Sequence, residues 1–176
     1  MIHPDKYDWS TFRITFYYNA HIIRVFRTFT QAAGLESFFI ARSLYTAVDG
    51  RVRDDDESPN KGDRYDWRFR HNLELSGEII EYIEKEQFSF SFGDMQVDLY
   101  FRVFDDQTEV ELVQSNIPLT DEGRVAGHLN CRSCWVFFMT NLSSILDHGK
   151  DLRDDNAELA SSMEVGFIPK SQGEKR

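Results

Sequence analysis

The chain has 176 residues, enough for one domain with a sizeable core and too few for two. Its net charge of -10 disfavours contact with a nucleic-acid backbone or an anionic membrane surface. No apolar run approaches the roughly 20 residues that span a bilayer, and the first residues lack the pattern of a secretory signal. We therefore expect a cytoplasmic protein with no nucleic-acid partner and no membrane insertion.

Apolar and polar residues alternate in the first predicted strand, which runs from Phe12 to Tyr18. The next segment, HIIRVFRTFTQAAGLESFF, has the three- and four-residue spacing of a helix. Its AAG triplet, which ends at Gly34, interrupts the pattern. The sequence therefore predicts two short helices, the second of which reaches Phe39.

The segment VRDDDESP lies in a long polar loop and contains three consecutive aspartates, Asp54 to Asp56. Adjacent side chains diverge, and the segment lacks the alternating oxygen ligands and the turn glycine of a calcium loop. We interpret it as part of a solvated loop.

Period-two alternation dominates the chain from Tyr65 to Val113, which indicates half-buried strands. The short segments around Asp94 and from Asp105 to Thr108 have the length and composition of hairpin turns. About six antiparallel strands are therefore expected after the two short helices.

A long amphipathic helix is predicted from about Gly127 to about His148, ended by Gly149 in a left-handed conformation. Residues at helical spacing form its apolar stripe: Trp135, Phe138, Met139, Leu142, Ile145 and Leu146. At ~1.5 Å per residue this helix would be ~30 Å long, so it requires an equally broad apolar partner. The alternating strands supply one.

The only two cysteines, Cys131 and Cys134, lie within this predicted helix. A structural zinc site needs four ligands, and neither His128 nor His148 completes a recognisable spacing. A thioredoxin-type motif would instead start a helix after a strand. We interpret both cysteines as small half-buried residues, and predict no metal and no cofactor.

The order of elements indicates an α+β fold, in which a curved antiparallel sheet wraps around a long C-terminal helix and two short helices follow the first strand. We assign residues 10–154 to this domain. Residues 1–9 are interpreted as an N-terminal extension and 155–176 as a polar, flexible tail.

These elements resemble the START-like, birch-pollen-allergen-like (SRPBCC) superfamily of helix-grip proteins. The closer resemblance is to the branch of the C-terminal domain of the activator of heat-shock protein 90 ATPase. It rests on the order and spacing of HIIRVFRTFTQAAGLESFF, GDRYDWRF, LSGEIIEYIEKEQFSFSF, DQTEVEL and CWVFFMTNLSSILDHGKDLR. The resemblance implies a helix-grip fold and either a ligand cavity or a chaperone partner.

Large side chains predicted to face the space between sheet and helix are the candidate cavity residues: Phe38, Phe39, Trp67, Phe69, Phe90, Leu99, Phe101, Trp135, Phe138, Met139 and Leu142. Candidate rim residues are Arg42, His71 and Tyr82. A sheet curled around a helix with such side chains either fills the space or leaves an apolar pocket with a few polar groups.

The predicted function is non-catalytic binding of a small hydrophobic or amphipathic, lipid-like molecule in this cavity. One alternative is a chaperone-associated interaction module, which applies if the aromatic side chains fill the space. The other is a small-molecule cyclase or hydrolase that uses an acid or base at the cavity rim, such as His71 or Glu81. The sequence leaves the ligand and the oligomeric state open.

Overall fold

The structure is a computed structural model that describes residues 6–70, 73–154 and 156. Two helices follow the first strand, six strands follow these helices, and a long helix follows the last strand. Their bounds are β1 (Phe12–Tyr18), α1 (Ile22–Thr30), α2 (Ala32–Phe38), β2 (Arg42–Thr46), β3 (Arg64–Arg68), β4 (Glu74–Ile83), β5 (Gln87–Phe92), β6 (Met95–Phe104), β7 (Gln107–Ser115) and α3 (Cys131–His148).

The strands form one seven-stranded antiparallel sheet in the order β1-β7-β6-β5-β4-β3-β2. Strands β2 to β7 are a meander, and β1 closes the far edge by pairing with β7. Gly93 and Asp105 have positive φ angles in the turns before and after β6, as tight hairpins require. The predicted α+β helix-grip architecture is therefore confirmed.

The sheet buries one face against α3. In β7, for example, Thr108, Val110, Leu112 and Gln114 are buried at alternate positions while the residues between them are partly exposed. The register of β4 against β5 shifts between Ile79 and Glu81, and a bulge of this kind increases strand bending and twist. The sheet thus forms a concave surface that receives the helix.

Helical structure begins earlier than the predicted Gly127, because a π-helical segment, Gly123–Asn130, leads directly into α3. A Cβ atom on Gly127 would lie 2.9 Å from Ile117 Cγ2, so a larger residue here would require the Ile117 side chain to shift. The predicted C-terminal end is confirmed, since Gly149 is left-handed and its N–H donates to the Ile145 carbonyl.

Buried polar side chains fix α3 to the edge of the sheet where β1 pairs with β7. Gln114 of β7 accepts a hydrogen bond from Trp135 Nε1 at 2.9 Å and donates to the Gly127 carbonyl at 3.0 Å. The Tyr18 hydroxyl of β1 donates to the Met139 carbonyl at 3.1 Å. Because unpaired polar atoms are costly in a core, these bonds specify the position of the helix.

The chain after α3 folds back onto the end of α2. Arg153, whose side chain is 6% exposed, donates to the carbonyls of Glu36, Ser37 and Ile40. Asn141 of α3 donates to the Phe38 carbonyl at 2.9 Å and accepts from the Leu152 N–H at 2.6 Å. We call this group of contacts the C-terminal latch; it joins α2, α3 and the segment after α3.

The long polar loop between β2 and β3 is held by ion pairs. Arg53, almost fully buried, pairs with Asp63 and with Glu57, and Arg51 also pairs with Glu57. The three consecutive aspartates, Asp54 to Asp56, are exposed. Within the described residues there is no cluster of three or more acidic, cysteine or histidine side chains able to hold a metal.

No helix in the described part of the chain is long and apolar enough to cross a membrane.

Residues before β1 also contact the domain. The ring of His128, 1% exposed, hydrogen-bonds to the Tyr7 hydroxyl and the Trp9 carbonyl.

Replacing Trp135 with alanine should lower the free energy of unfolding by about 3–5 kcal/mol, because a buried ring is lost and Gln114 Oε1 loses its hydrogen-bond donor. Urea denaturation measures this change. The control is Trp135→Phe, which keeps an aromatic ring and should cost less. A Trp135→Ala variant as stable as the wild type would contradict the packing described here.

Candidate functional site

A cavity of about 490 Å³ lies between the first turns of α3 and one end of the sheet. Cys131, Cys134, Trp135 and Phe138 form its helical wall. Cys134, Trp135 and Phe138 follow Cys131 by three, four and seven residues, so all four side chains lie on one face of α3. The helix therefore offers the cavity two aromatic rings and two thiols.

The opposite wall comes from the sheet. Phe69 and Leu75 lie where β3 ends and β4 begins, while Phe92 and Met95 flank the β5–β6 turn. Phe69 continues the inward face of Tyr65 and Trp67, and Phe92 continues that of Phe88 and Phe90. This wall is consequently also aromatic and apolar.

Phe39, the residue after α2, closes the inner end of the cavity. Its ring stacks on Trp135 with a centroid distance of 4.9 Å and contacts Phe138 at 5.0 Å and Phe69 at 5.3 Å. Behind it, Trp67 meets the Phe39 ring edge to face at 5.8 Å. The C-terminal latch holds the backbone on both sides of Phe39 through the carbonyls of Phe38 and Ile40.

Polar groups are few and lie on the side of the cavity nearest to solvent. They include Arg70, the exposed Glu74 and the partly buried Asn130. Leu73, which is 63% exposed, adds an apolar side chain there. Arg70 donates through Nη1 to the Asp154 carbonyl, so the end of the C-terminal latch also reaches this rim. An apolar interior with a small polar rim is the usual composition of a small-molecule site.

The two thiols favour their protonated forms. Burial raises the pKa of Cys131, and burial together with the neighbouring Cys131 raises the pKa of Cys134 to about 11. Because the thiolate is the nucleophilic and metal-binding form, these cysteines are poorly reactive near neutral pH. They contribute to the cavity mainly as small apolar groups.

The structure divides the candidate cavity residues into two groups. Phe39, Phe69, Trp135 and Phe138 line the cavity. The others are buried in the core, where they fill the rest of the space between helix and sheet: Phe38, Trp67, Phe90, Leu99, Phe101, Met139 and Leu142. We call the interface between α3 and the sheet the seam. It is densely packed along one part and open at the other.

Two of the candidate rim residues, Arg42 and Tyr82, lie away from the cavity. Arg42 is exposed and forms ion pairs with Glu36 at 3.3 Å and Asp55 at 3.5 Å. Tyr82 is half-buried, and its ring packs on Phe26 of α1 with a centroid distance of 5.4 Å. His71 lies outside the described residues. Arg70 and Glu74 take the rim positions in the described part of the cavity.

Several lining residues were not predicted, although strand alternation or helical spacing in the sequence indicates that they point inward. Phe92 and Met95 belong to alternating patterns already assigned to β5 and β6, so they could have been placed on the inward face. Cys131 and Cys134 share the helical spacing of Trp135 and Phe138. Arg70 and Glu74 gave no signal, because their position depends on how the chain crosses from β3 to β4.

A second depression, of about 500 Å³, runs along the outer side of α1. His21, Ile23, Arg24 and Arg27 are among its lining residues, and all of them are exposed. Within the described residues neither arginine forms an ion pair. This groove is a basic patch on an otherwise acidic protein.

The raised pKa of Cys134 predicts the pH dependence of its alkylation. In a Cys131→Ser variant, burial still raises the pKa of Cys134, so the rate of its reaction with iodoacetamide should keep rising above pH 9 as the thiolate population grows. In urea the reaction rate of the same thiol should level off at a lower pH, near the pKa of ~8.5 of a free cysteine. A native profile that levels off near pH 9 would contradict the apolar environment of Cys134.

Solved structures with this architecture include protein SSP2350 from Staphylococcus saprophyticus, with 18% identity and a TM-score of 0.66 over 81% of this chain and 96% of that one. The Aha1 dimer from Colwellia psychrerythraea has 16% identity and a TM-score of 0.62, covering 80% and 98%. DynU16, a protein in the dynemicin biosynthetic locus, has 16% identity and a TM-score of 0.64, covering 83% and 50%. At these identities the likeness shows the fold alone.

No curated protein gives a significant match to this chain. A family model, described as Activator of Hsp90 ATPase homolog 1-like protein, matches residues 19–147, which run from the end of β1 almost to the end of α3. This match confirms the resemblance drawn from the sequence. The chain belongs to the family of Activator of Hsp90 ATPase homolog 1-like proteins.

Proposed function

We propose that this protein binds a small apolar or amphipathic molecule in the cavity between α3 and the end of the sheet. The observation that carries the proposal is an open volume of about 490 Å³ in a seam that is otherwise densely packed. Ligand pockets commonly have volumes of ~300–1,000 Å³ with mostly apolar walls. An open apolar space of this size also forfeits packing energy, which a bound apolar ligand would recover.

The composition of the wall defines the ligand class. Phe39, Phe92, Trp135 and Phe138 offer aromatic surface, and Met95 adds a flexible thioether that adapts to different shapes. Among the described lining residues, charged groups occur only at the rim, where Arg70 and Glu74 lie near solvent. A ligand would therefore place its apolar body inside and any charged group at the mouth.

Binding should raise the melting temperature, because a ligand that binds only the folded state stabilises it. At a free ligand concentration about 100 times Kd this stabilisation is ~2.7 kcal/mol, which corresponds to roughly 5–10 °C for a chain of this length. Thermal shift and titration calorimetry with a panel of 1-decanol, decanoic acid and 2-naphthol would measure it.

The matched variants are Cys134→Phe and Ser133→Phe. A phenylalanine at Cys134 would occupy part of the cavity, whereas Ser133 is exposed on the outer side of α3. The Cys134→Phe variant should lose the ligand-induced rise, and the Ser133→Phe variant should keep it. If no member of the panel raises the melting temperature, or if Cys134→Phe responds like the wild type, the cavity is not a binding site.

A second candidate function is interaction with a chaperone. It is favoured by the family match and by the basic groove along α1, where Arg24 and Arg27 could contact an acidic protein surface. Purified heat-shock protein 90 provides a direct test through its ATPase rate and through its binding to this chain. A change that depends on the chain and is lost in an Arg24→Ser/Arg27→Ser variant would favour this role. An unaffected ATPase without binding would exclude it.

A further inference from the structure

Three fully buried polar atoms make no hydrogen bond of full geometry within the described part of the chain: Ser43 Oγ, Tyr45 Oη and Trp67 Nε1. They belong to neighbouring strands. Ser43 lies directly across from Trp67 in the β2–β3 register, and Tyr45 follows two residues later on the same face of β2. None of the three residues is more than 2% exposed. We call them the polar trio.

The members of the polar trio lie close enough to affect one another. Burial raises the pKa of Tyr45, and hydrogen-bonding contacts of its hydroxyl with the Ser43 hydroxyl and the Trp67 indole oppose this effect in part, although none of these contacts has the geometry of a full hydrogen bond. The hydroxyl of Tyr45 is therefore neutral. The nearby carboxylate of Asp63 already accepts hydrogen bonds from Arg53 and from the Asn60 N–H.

The chemistry of the polar trio suits one particular kind of group. Trp67 Nε1 can only donate a hydrogen bond, whereas the two hydroxyls can donate or accept. A single oxygen bearing a proton can accept from Trp67 and Tyr45 and donate to Ser43. A carboxylate would bury a charge here without a free cation beside it, which is costly. An uncharged hydroxyl group meets every requirement.

We propose that Ser43, Tyr45 and Trp67 form a binding site for one uncharged hydroxyl group. Two sources share this chemistry: a water molecule in the free protein, or the hydroxyl of a ligand bound in the cavity. Buried waters commonly satisfy such groups with about three hydrogen bonds. The second source rests on the proposed function, whereas the first does not.

Phe39 separates the polar trio from the cavity. Its ring lines the cavity on one side and contacts the indole of Trp67 on the other, with centroids 5.8 Å apart. A ligand hydroxyl would therefore reach the polar trio only if the Phe39 ring moved aside.

A high-resolution crystal structure of the free protein tests the site directly. We expect electron density for one oxygen within about 2.6–3.2 Å of Trp67 Nε1 and Tyr45 Oη. The proposal is overturned if the three side chains instead bond directly to one another and no density lies among them.

Soaking such crystals with 1-decanol, with decane as the matched probe that lacks a hydroxyl, distinguishes the two sources. A decanol oxygen at the polar trio identifies the ligand as the source, and an isolated oxygen that remains beside either bound probe identifies water. If neither probe enters the cavity while the isolated oxygen remains, the proposed ligand function loses support and the polar trio site stands.

A Tyr45→Phe variant provides an independent measurement in solution. Removing one of the three partners should weaken the bound group and leave Trp67 Nε1 poorly satisfied, so the melting temperature should fall by about 2–6 °C. The control is Tyr100→Phe, whose half-buried ring lies on the opposite face of the sheet. An unchanged or raised melting temperature for Tyr45→Phe would overturn the proposal, because deleting an idle buried hydroxyl does not destabilise a protein.

Discussion

The contact between α3 and the concave face of the sheet is the constraint on which the rest of the structure depends. The helix presents a continuous apolar face, yet the sheet meets it closely only along part of its length. Met139 and Leu142 are fully buried, whereas Cys131 and Cys134 border an open volume. The cavity is thus a consequence of how the helix crosses the curved sheet.

Buried polar groups decide where the helix lies within this contact. Hydrophobic packing is not directional, so it would tolerate several positions of α3 along the sheet. Gln114 fixes the helix near Trp135, and the C-terminal latch fixes it near Asn141. Because the same latch holds the backbone around Phe39, the geometry of the cavity is coupled to the segment that follows α3. The family match covers the sheet and the helix, and it ends before this latch segment.

Much of the fold could be predicted from the sequence, because alternation in strands and three- or four-residue spacing in helices are local properties. The order of elements, the antiparallel pairing and the left-handed end of α3 at Gly149 follow from such patterns. The start of the helical region did not, since the π-helical segment Gly123–Asn130 lies before the apolar stripe from which the helix was predicted.

The site was less predictable for a physical reason. Patterns show that a side chain points inward, but whether it meets another side chain or an empty volume depends on the local distance between the helix and the sheet. Trp67 and Phe69 share one face of the same chain segment, and only Phe69 borders the cavity. Long-range contacts are also absent from local patterns, as the pairing of Arg42 with Asp55 illustrates.

The central claim is that the open end of the seam binds a ligand while the closed end does not. Methyl NMR on protein labelled at its methionines tests this directly, because Met95 lines the cavity and Met139 is fully buried in the packed part. Titration with 1-decanol should shift the Met95 methyl resonance saturably and leave that of Met139 nearly unchanged. An unresponsive Met95, or equal shifts of Met95 and Met139, would contradict the account.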